Sequence, residues 1–200
     1  MSELERWENR YLTGDIPWET GHPSTELQRV IAEDKIQPCT AIDLGCGTGA
    51  NAVFLAELGF DVTAIDLSPT AVDRGRQRKA TAGVRVRFLT GDVLDPPEDI
   101  GGPYRFFFDR GCYHIVRSID VGRYLNTLVR ITLAGSVGLV LTGNANEPRT
   151  GPPVVSEAEI HGELGSVFEI VRLREFRFDL TLGMEGQPLG WSCLLRRAGP

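Results

Sequence analysis

No apolar run in this sequence approaches the ~18 residues that cross a bilayer, so no membrane span is expected. Basic charge is short: 21 Lys and Arg stand against 27 Asp and Glu, a net charge of −6. Phosphate binding needs a basic face, so nucleic acid is excluded as a partner. Cys39, Cys46, Cys112 and Cys193 form no C-x-x-C pair. Neither a metal site nor a disulfide framework is expected, and the pattern fits a reducing cytoplasm. The start, MSELERWENRY, is acidic and amphipathic, not basic and then apolar, so it reads as no secretion signal. Repeats, low-complexity tracts and linkers are missing too. What is there is 200 residues, 42% hydrophobic and 24% charged. That balance predicts one globular domain over 1–200, and without an obvious exposed apolar stripe a monomer.

Strand and helix signals alternate after an N-terminal helical segment. TAIDL (40–44) is a short apolar strand, and NAVFLAEL (51–58) carries helix-period apolar residues up to Gly59. DVTAID (61–66) is a second strand. Ser68-Pro69 then supplies an N-cap and a first-turn proline for a helix to about Ala80. VRVRFLT (84–90), YRFFFD (104–109) and VGLVLT (137–142) read as strands, with a helix over 121–131. A short helix near 156–164 precedes two β-rich stretches, 168–178 and 190–197, expected as a hairpin at the sheet edge. The alternation predicts a Rossmann-like, doubly wound α/β fold: a seven-stranded sheet, mostly parallel, with one antiparallel strand near the C-terminus. The basic run DRGRQRK (73–79) reads as the solvated side of a helix.

The loop after the first strand, DLGCGTGA (43–50), fits two patterns at once. Gly45, Gly47 and Ala50 satisfy the G-x-G-x-x-A dinucleotide fingerprint. Asp43, Gly45, Gly47 and Gly49 satisfy D-x-G-x-G-x-G, which suits an adenosyl cofactor without a pyrophosphate. The residues around the loop decide between them. A carboxylate at Asp43 would repel a pyrophosphate and attract an ammonium. Asp66, closing the second strand, can take both ribose hydroxyls, with Leu67 beside it, but serves either cofactor. Asp92, after the third strand, can accept from an adenine amino group while the Val93 N–H meets a ring nitrogen. Almost the whole chain is one sheet, which leaves no second half for nicotinamide and substrate. Together these point to S-adenosylmethionine.

IDLGCGTGANAVFLAELGFDVTAIDLS (42–68) resembles the class I S-adenosylmethionine-dependent methyltransferases over essentially the whole chain. RWENRYLTGDIPWETGHPSTEL (6–27), FDRGCYH (108–114) and GPPVVSEAEI (151–160) are more specifically similar to the thiopurine methyltransferase group, which includes thiol/halide methyltransferases and tellurite-resistance proteins. The resemblance implies a helical lid at residues 1–35 over the cofactor. It implies that the aromatic residues Tyr11 and Trp18, and less directly Trp7, touch cofactor and substrate, and that Arg110 lies close to both.

The expected activity is methyl transfer to a small-molecule acceptor: a thiol, a selenium or tellurium oxyanion, a halide or a phenol. A soft nucleophile needs little acid–base help, whereas a phenol or neutral thiol must lose a proton. Asp109 and His114 are the candidates for that catalytic step; the blander reading makes Asp109 a loop brace and His114 a packed core residue. The polar stretch 143–160 after the fifth strand is expected to shape acceptor choice. A nicotinamide-dependent reductase and a non-catalytic S-adenosylmethionine-binding protein are the rival readings.

Overall fold

A computed structural model describes residues 1–147, 153–179 and 186–199. Helix α1 (Glu3–Thr13) opens on a capping box, in which Ser2 and Glu5 satisfy each other's backbone N–H groups. An irregular stretch leads to α2 (Thr25–Glu33), β1 (Thr40–Leu44), α3 (Ala50–Glu57), β2 (Asp61–Asp66), α4 (Pro69–Ala82) and β3 (Val86–Thr90). β4 (Tyr104–Arg110), α5 (Tyr113–Ile131) and β5 (Thr132–Asn144) follow. β6 (Val154–Val155), α6 (Glu157–Glu163), β7 (Phe168–Arg177) and β8 (Leu189–Arg197) complete the order. As the sequence implies, Ser68 caps α4 by accepting from the Ala71 N–H, with Pro69 in the first turn.

The strands lie in the order β3-β2-β1-β4-β5-β8-β7, with the short β6 added beside the end of β5. Every neighbouring pair is parallel except those of β8, which runs against both β5 and β7. The expected seven strands and single reversed strand are present; β6 is an addition the alternation did not signal. From β1 the chain winds outward through β2 and β3, then returns to place β4 on the other side of β1. That reversal leaves a crevice over the carboxyl ends of β1 and β4, where α/β sheets bind ligands.

Each face of the sheet carries its own core. On one, α2, α3 and α4 bury Leu27, Val30, Val53, Leu55 and Val72 against Phe106, Phe108 and Leu139. On the other, α5 and α6 bury Tyr113, Tyr124, Leu128 and Ile160 against Phe107, Val140 and Trp191. α5 starts eight residues before the periodicity of 121–131 and is broken at Asp120 (φ −161°, ψ 91°). Asp120 accepts from the Arg123 N–H and so caps the second half, the segment the apolar spacing marks.

Gly138 on β5 is paired with Phe107 on β4, and a Cβ there would come within 2.0 Å of the ring. We therefore expect Gly138→Ala to destabilise the fold by about 1–3 kcal/mol through overpacking. In thermal unfolding that is a drop of roughly 2–4 °C per kcal/mol; an unchanged melting temperature would mean that the ring moves aside freely.

Candidate active site at the carboxyl edge of the sheet

Four aspartates stand at or just beyond the ends of neighbouring parallel strands: Asp43 on β1, Asp66 on β2, Asp92 after β3 and Asp109 on β4. Between β1 and α3 the chain turns through Gly45, Gly47 and Gly49, all at positive φ. A Cβ on Gly47 would lie 3.0 Å from the Tyr11 hydroxyl, so the loop is approached closely from α1. On Gly49 it would lie 2.5 Å from the Phe88 ring, which is wedged between Gly49 and Gly75. Gly45 sits against Cys112, whose thiol is pushed well up by burial and rests un-ionised.

Asp43 is fully buried, and one of its carboxylate oxygens has no hydrogen-bond partner. Burial raises its pKa well above the usual carboxylate value, and the charges of Asp109 and Asp66 add to the rise. A hydrogen bond from Ala52, in the first turn of α3, pulls the other way. Asp66 accepts from the Gly47 N–H at 2.8 Å and the Ser68 N–H at 2.9 Å. Burial still lifts it to about 6. Leu67, next in the chain, is half-buried. Asp92 is half-buried and spends one oxygen on the Leu94 N–H at 2.8 Å; Val93 beside it is buried. Asp43, Asp66 and the glycine loop are thus brought together, with Asp92 and Val93 one strand further out.

Asp109 and Arg110 point to opposite faces of β4, and they do different work. The Asp109 carboxylate accepts from the Cys112 and Tyr113 N–H groups at 3.0 Å and from the Tyr124 hydroxyl at 2.7 Å. Burial raises it to about 7, against those same hydrogen bonds. It braces the start of α5, and its acceptor sites are filled. Arg110 turns to the Asp43 side. Its Nη1 donates to the Trp18 carbonyl at 3.1 Å, its guanidinium lies 5.4 Å from the Phe178 ring centre, and its Nε is buried without a partner. Burial draws its pKa down while Asp179, Glu19 and Asp43 pull it back up.

His114 is the expected general base. It is buried, and its Nδ1 accepts from the Gly143 N–H at 3.1 Å. Burial, helped by the Arg110 charge, lowers its pKa to about 4. The neutral ring therefore carries its proton on Nε2, which presents a donor and not a base.

Above the glycine loop, Trp18 packs edge-on against Trp7 (centroids 5.5 Å apart) and Tyr11 (6.1 Å), with the Arg10 guanidinium 4.2 Å over its ring. Tyr11 is buried and receives the Trp18 Nε1–H at 3.4 Å. Sequence reasoning missed several residues here. Arg74 donates to the Tyr11 carbonyl, and Arg78 to Thr48 and the Gly21 carbonyl. Glu8 and Glu19 reach Ser68, Thr70 and Thr48. The run 73–79 is thus not simply a solvated face; the 74/78 spacing, one helical turn, was the available signal. Of the polar stretch expected to shape acceptor choice, residues 148–152 lie outside the described residues. Among the described residues no group of three or more His, Cys, Asp or Glu could hold a metal ion.

The family model for thiopurine S-methyltransferase matches residues 2–183. The chain is 31% identical over 149 residues to the 2-heptyl-1-hydroxyquinolin-4(1H)-one methyltransferase of Mycobacteroides abscessus, covering 72% of this chain and 64% of that protein. It is also 31% identical over 107 residues to the probable thiol methyltransferase 2 of Arabidopsis thaliana, covering 50% and 47%. The chain thus spans less than two thirds of the length of either relative. Among solved structures, one concerned with the conversion of a disulfide bond into a thioacetal group during echinomycin biosynthesis superposes with a TM-score of 0.84. It covers 98% of this chain and 93% of its own at 23% identity, a likeness of fold.

The His114 geometry sets a direction for stability against pH. A histidine whose folded pKa lies below its unfolded value loses stability as pH falls, because the unfolded chain takes up the proton first. Relative to His114→Asn, whose Oδ1 stands where Nδ1 accepts from Gly143, wild type should lose up to ~3 kcal/mol between pH 6.5 and 4. Parallel pH dependences in urea unfolding would refute the buried, neutral ring.

Proposed function

This chain belongs to the thiopurine S-methyltransferase family, and from that premise we propose that it transfers a methyl group from S-adenosylmethionine to a small acceptor that arrives as an anion. The observation that carries the cofactor reading is the buried, unpartnered oxygen of Asp43. A lone carboxylate oxygen behind a glycine loop repels a pyrophosphate and is completed by an ammonium donor, which the methionine end of S-adenosylmethionine provides. Asp66 would take the ribose hydroxyls, its backbone partners already holding it in place. The second oxygen of Asp92 and the Val93 N–H would receive the adenine edge.

When bound, S-adenosylmethionine supplies a methyl group on a sulfonium, which a nucleophile displaces in line. The chain's part is to position the acceptor and keep water out. Tyr11 and Trp18 offer electron-rich rings, each worth roughly 0.5–2 kcal/mol to a nearby cation. Neither residue expected to take a proton stands ready to do so: His114 presents a donor, and Asp109 already accepts from main-chain N–H groups and Tyr124. An acceptor that must be deprotonated in place is therefore disfavoured. A pre-ionised one is favoured, and the unpartnered Arg110 Nε gives it a positive partner.

Thiolates, selenium or tellurium oxyanions, halides and acidic phenols all meet that demand. Within this set an acidic sulfur or oxygen on a flat aromatic ring fits best. The family description names thiopurines and the M. abscessus relative a hydroxyquinolinone. The Phe178 ring beside Arg110 offers such a molecule a flat apolar neighbour.

Calorimetric titration checks the cofactor. S-adenosylmethionine and S-adenosylhomocysteine should bind, both nicotinamide dinucleotides should not, and Asp66→Ala should weaken binding on the order of 100-fold through loss of charge-assisted hydrogen bonds. Dinucleotide binding without a response to S-adenosylhomocysteine would favour the reductase instead. Given turnover, kcat/KM should rise with pH through the acceptor's own pKa and move with it across a series of aryl thiols and phenols. Arg110→Met should lower it by about 100-fold, whereas an inflection near pH 7 shared by every acceptor would restore Asp109 as a base.

A further inference from the structure

Helix α1 buries one residue, Tyr11, and leaves Leu4 and Leu12 exposed. It is held to the rest of the protein chiefly by polar contacts, and these converge on one stripe of α4. Thr70, Arg74 and Arg78 are successive residues of an i, i+4, i+8 row. Glu8 accepts from the Ser68 hydroxyl at 2.5 Å and from Thr70 through both its hydroxyl (2.5 Å) and its N–H (3.2 Å). Arg74 donates to the Tyr11 carbonyl at 2.7 Å. Arg78 ties the segment after α1 to the glycine loop: Nη1 donates to the Gly21 carbonyl, Nε to the Thr48 carbonyl and Nη2 to the Thr48 hydroxyl. Glu19 closes the far end, accepting from the Thr48 hydroxyl at 2.5 Å and the Gly21 N–H at 2.9 Å.

We propose that Glu8 and Glu19, docked on the Thr70–Arg74–Arg78 stripe and Thr48, form a latch that positions the aromatic residues of α1 and the following segment, and that cofactor bound at Asp66 locks it. The inference rests on the S-adenosylmethionine reading above. Both ends of the latch adjoin Asp66. Ser68 donates its hydroxyl to Glu8 and its N–H to Asp66, while Gly47, the neighbour of Thr48, donates its N–H to the other Asp66 oxygen. The negative charge of Glu8 is felt at Asp66. Ribose hydroxyls donated to Asp66 relieve that repulsion, so cofactor and closed latch stabilise each other by the same amount. Contacts of this kind are individually weak, and a segment with one buried side chain opens far below the global unfolding energy. The latch residues are positioning residues. They hold Tyr11 and Trp18 where those rings exclude water.

The test combines hydrogen exchange over residues 3–24 with stopped-flow release of S-adenosylhomocysteine. Wild type should gain protection there on binding. Glu8→Ala and Arg78→Ala should still bind, fail to gain that protection, and release the ligand at least ~10-fold faster. Glu8→Gln and Arg78→Lys, which keep part of the contact set, should restore part of both effects. Arg87→Gln, at the separate Arg87–Asp99 pair, should match wild type. Should an alanine variant fold poorly, Thr70→Val removes a hydroxyl alone and should move the release rate the same way. Full protection and wild-type release in Glu8→Ala or Thr70→Val would overturn the latch and leave the cofactor reading intact. Failure of wild type to bind S-adenosylhomocysteine would overturn both.

Discussion

Three carboxylates buried at the carboxyl ends of adjacent parallel strands are the constraint on which the site depends. A buried carboxylate must collect donors, and each of these collects them from the chain that follows a strand. Asp66 draws on Gly47 and Ser68, and Asp109 on Cys112 and Tyr113, while Ala52 approaches Asp43. The glycine loop and the starts of three helices are thereby fixed to the sheet edge. The set is incomplete at one atom, the second oxygen of Asp43. An unsatisfied buried acceptor costs about 1–3 kcal/mol, more when charged, and a ligand that completes it recovers that energy as affinity. Burial raises all three pKa values, so the site is most strained when every carboxylate is ionised and nothing is bound.

The Asp109-Arg110 pair illustrates how a strand end divides labour. Successive residues of a strand face opposite sides. Asp109 therefore turns to the α5 side and is consumed by the helix start and Tyr124, while Arg110 turns to the α2 side among Phe178, Trp18 and Asp43. A pair that reads in sequence as one ionic motif is a brace on one face and, on the other, a guanidinium bonded to Trp18 with its Nε still open. Asp109 has the contacts of a loop brace. Arg110 keeps an Nε that has no acceptor among the described residues.

Legibility followed the range of the interaction. The β1 loop, the Ser68-Pro69 start of α4 and the 121–131 half of α5 are local patterns, and each lies where its spacing predicts. The first half of α5 depends on capping by Asp109 from a strand, which periodicity cannot register. The environment of His114 is hidden from the sequence for a related reason. Its protonation follows from burial and from the Gly143 N–H, 29 residues away. The roles of Glu8, Glu19, Arg74 and Arg78 likewise come from partners 29 to 63 residues distant. Net charge was misleading locally, since an acidic chain can still direct its basic helix inward to bind its own N-terminal segment.

The ambiguity of the glycine loop also resolves physically, and not through the glycines. Gly49 is required because the Phe88 ring occupies the space of its Cβ, with Gly75 on the other side. That is a demand of helix–strand packing, which a dinucleotide fold makes in the same way. Ala50, one residue on, merely begins α3. The glycines thus describe how closely the backbones approach, which the two cofactors share. On the reading proposed above, what separates them is the sign of charge the loop must face, and that is set by Asp43, two residues before the first glycine. In a loop whose glycines serve both readings, the residue before them carries the discriminating information.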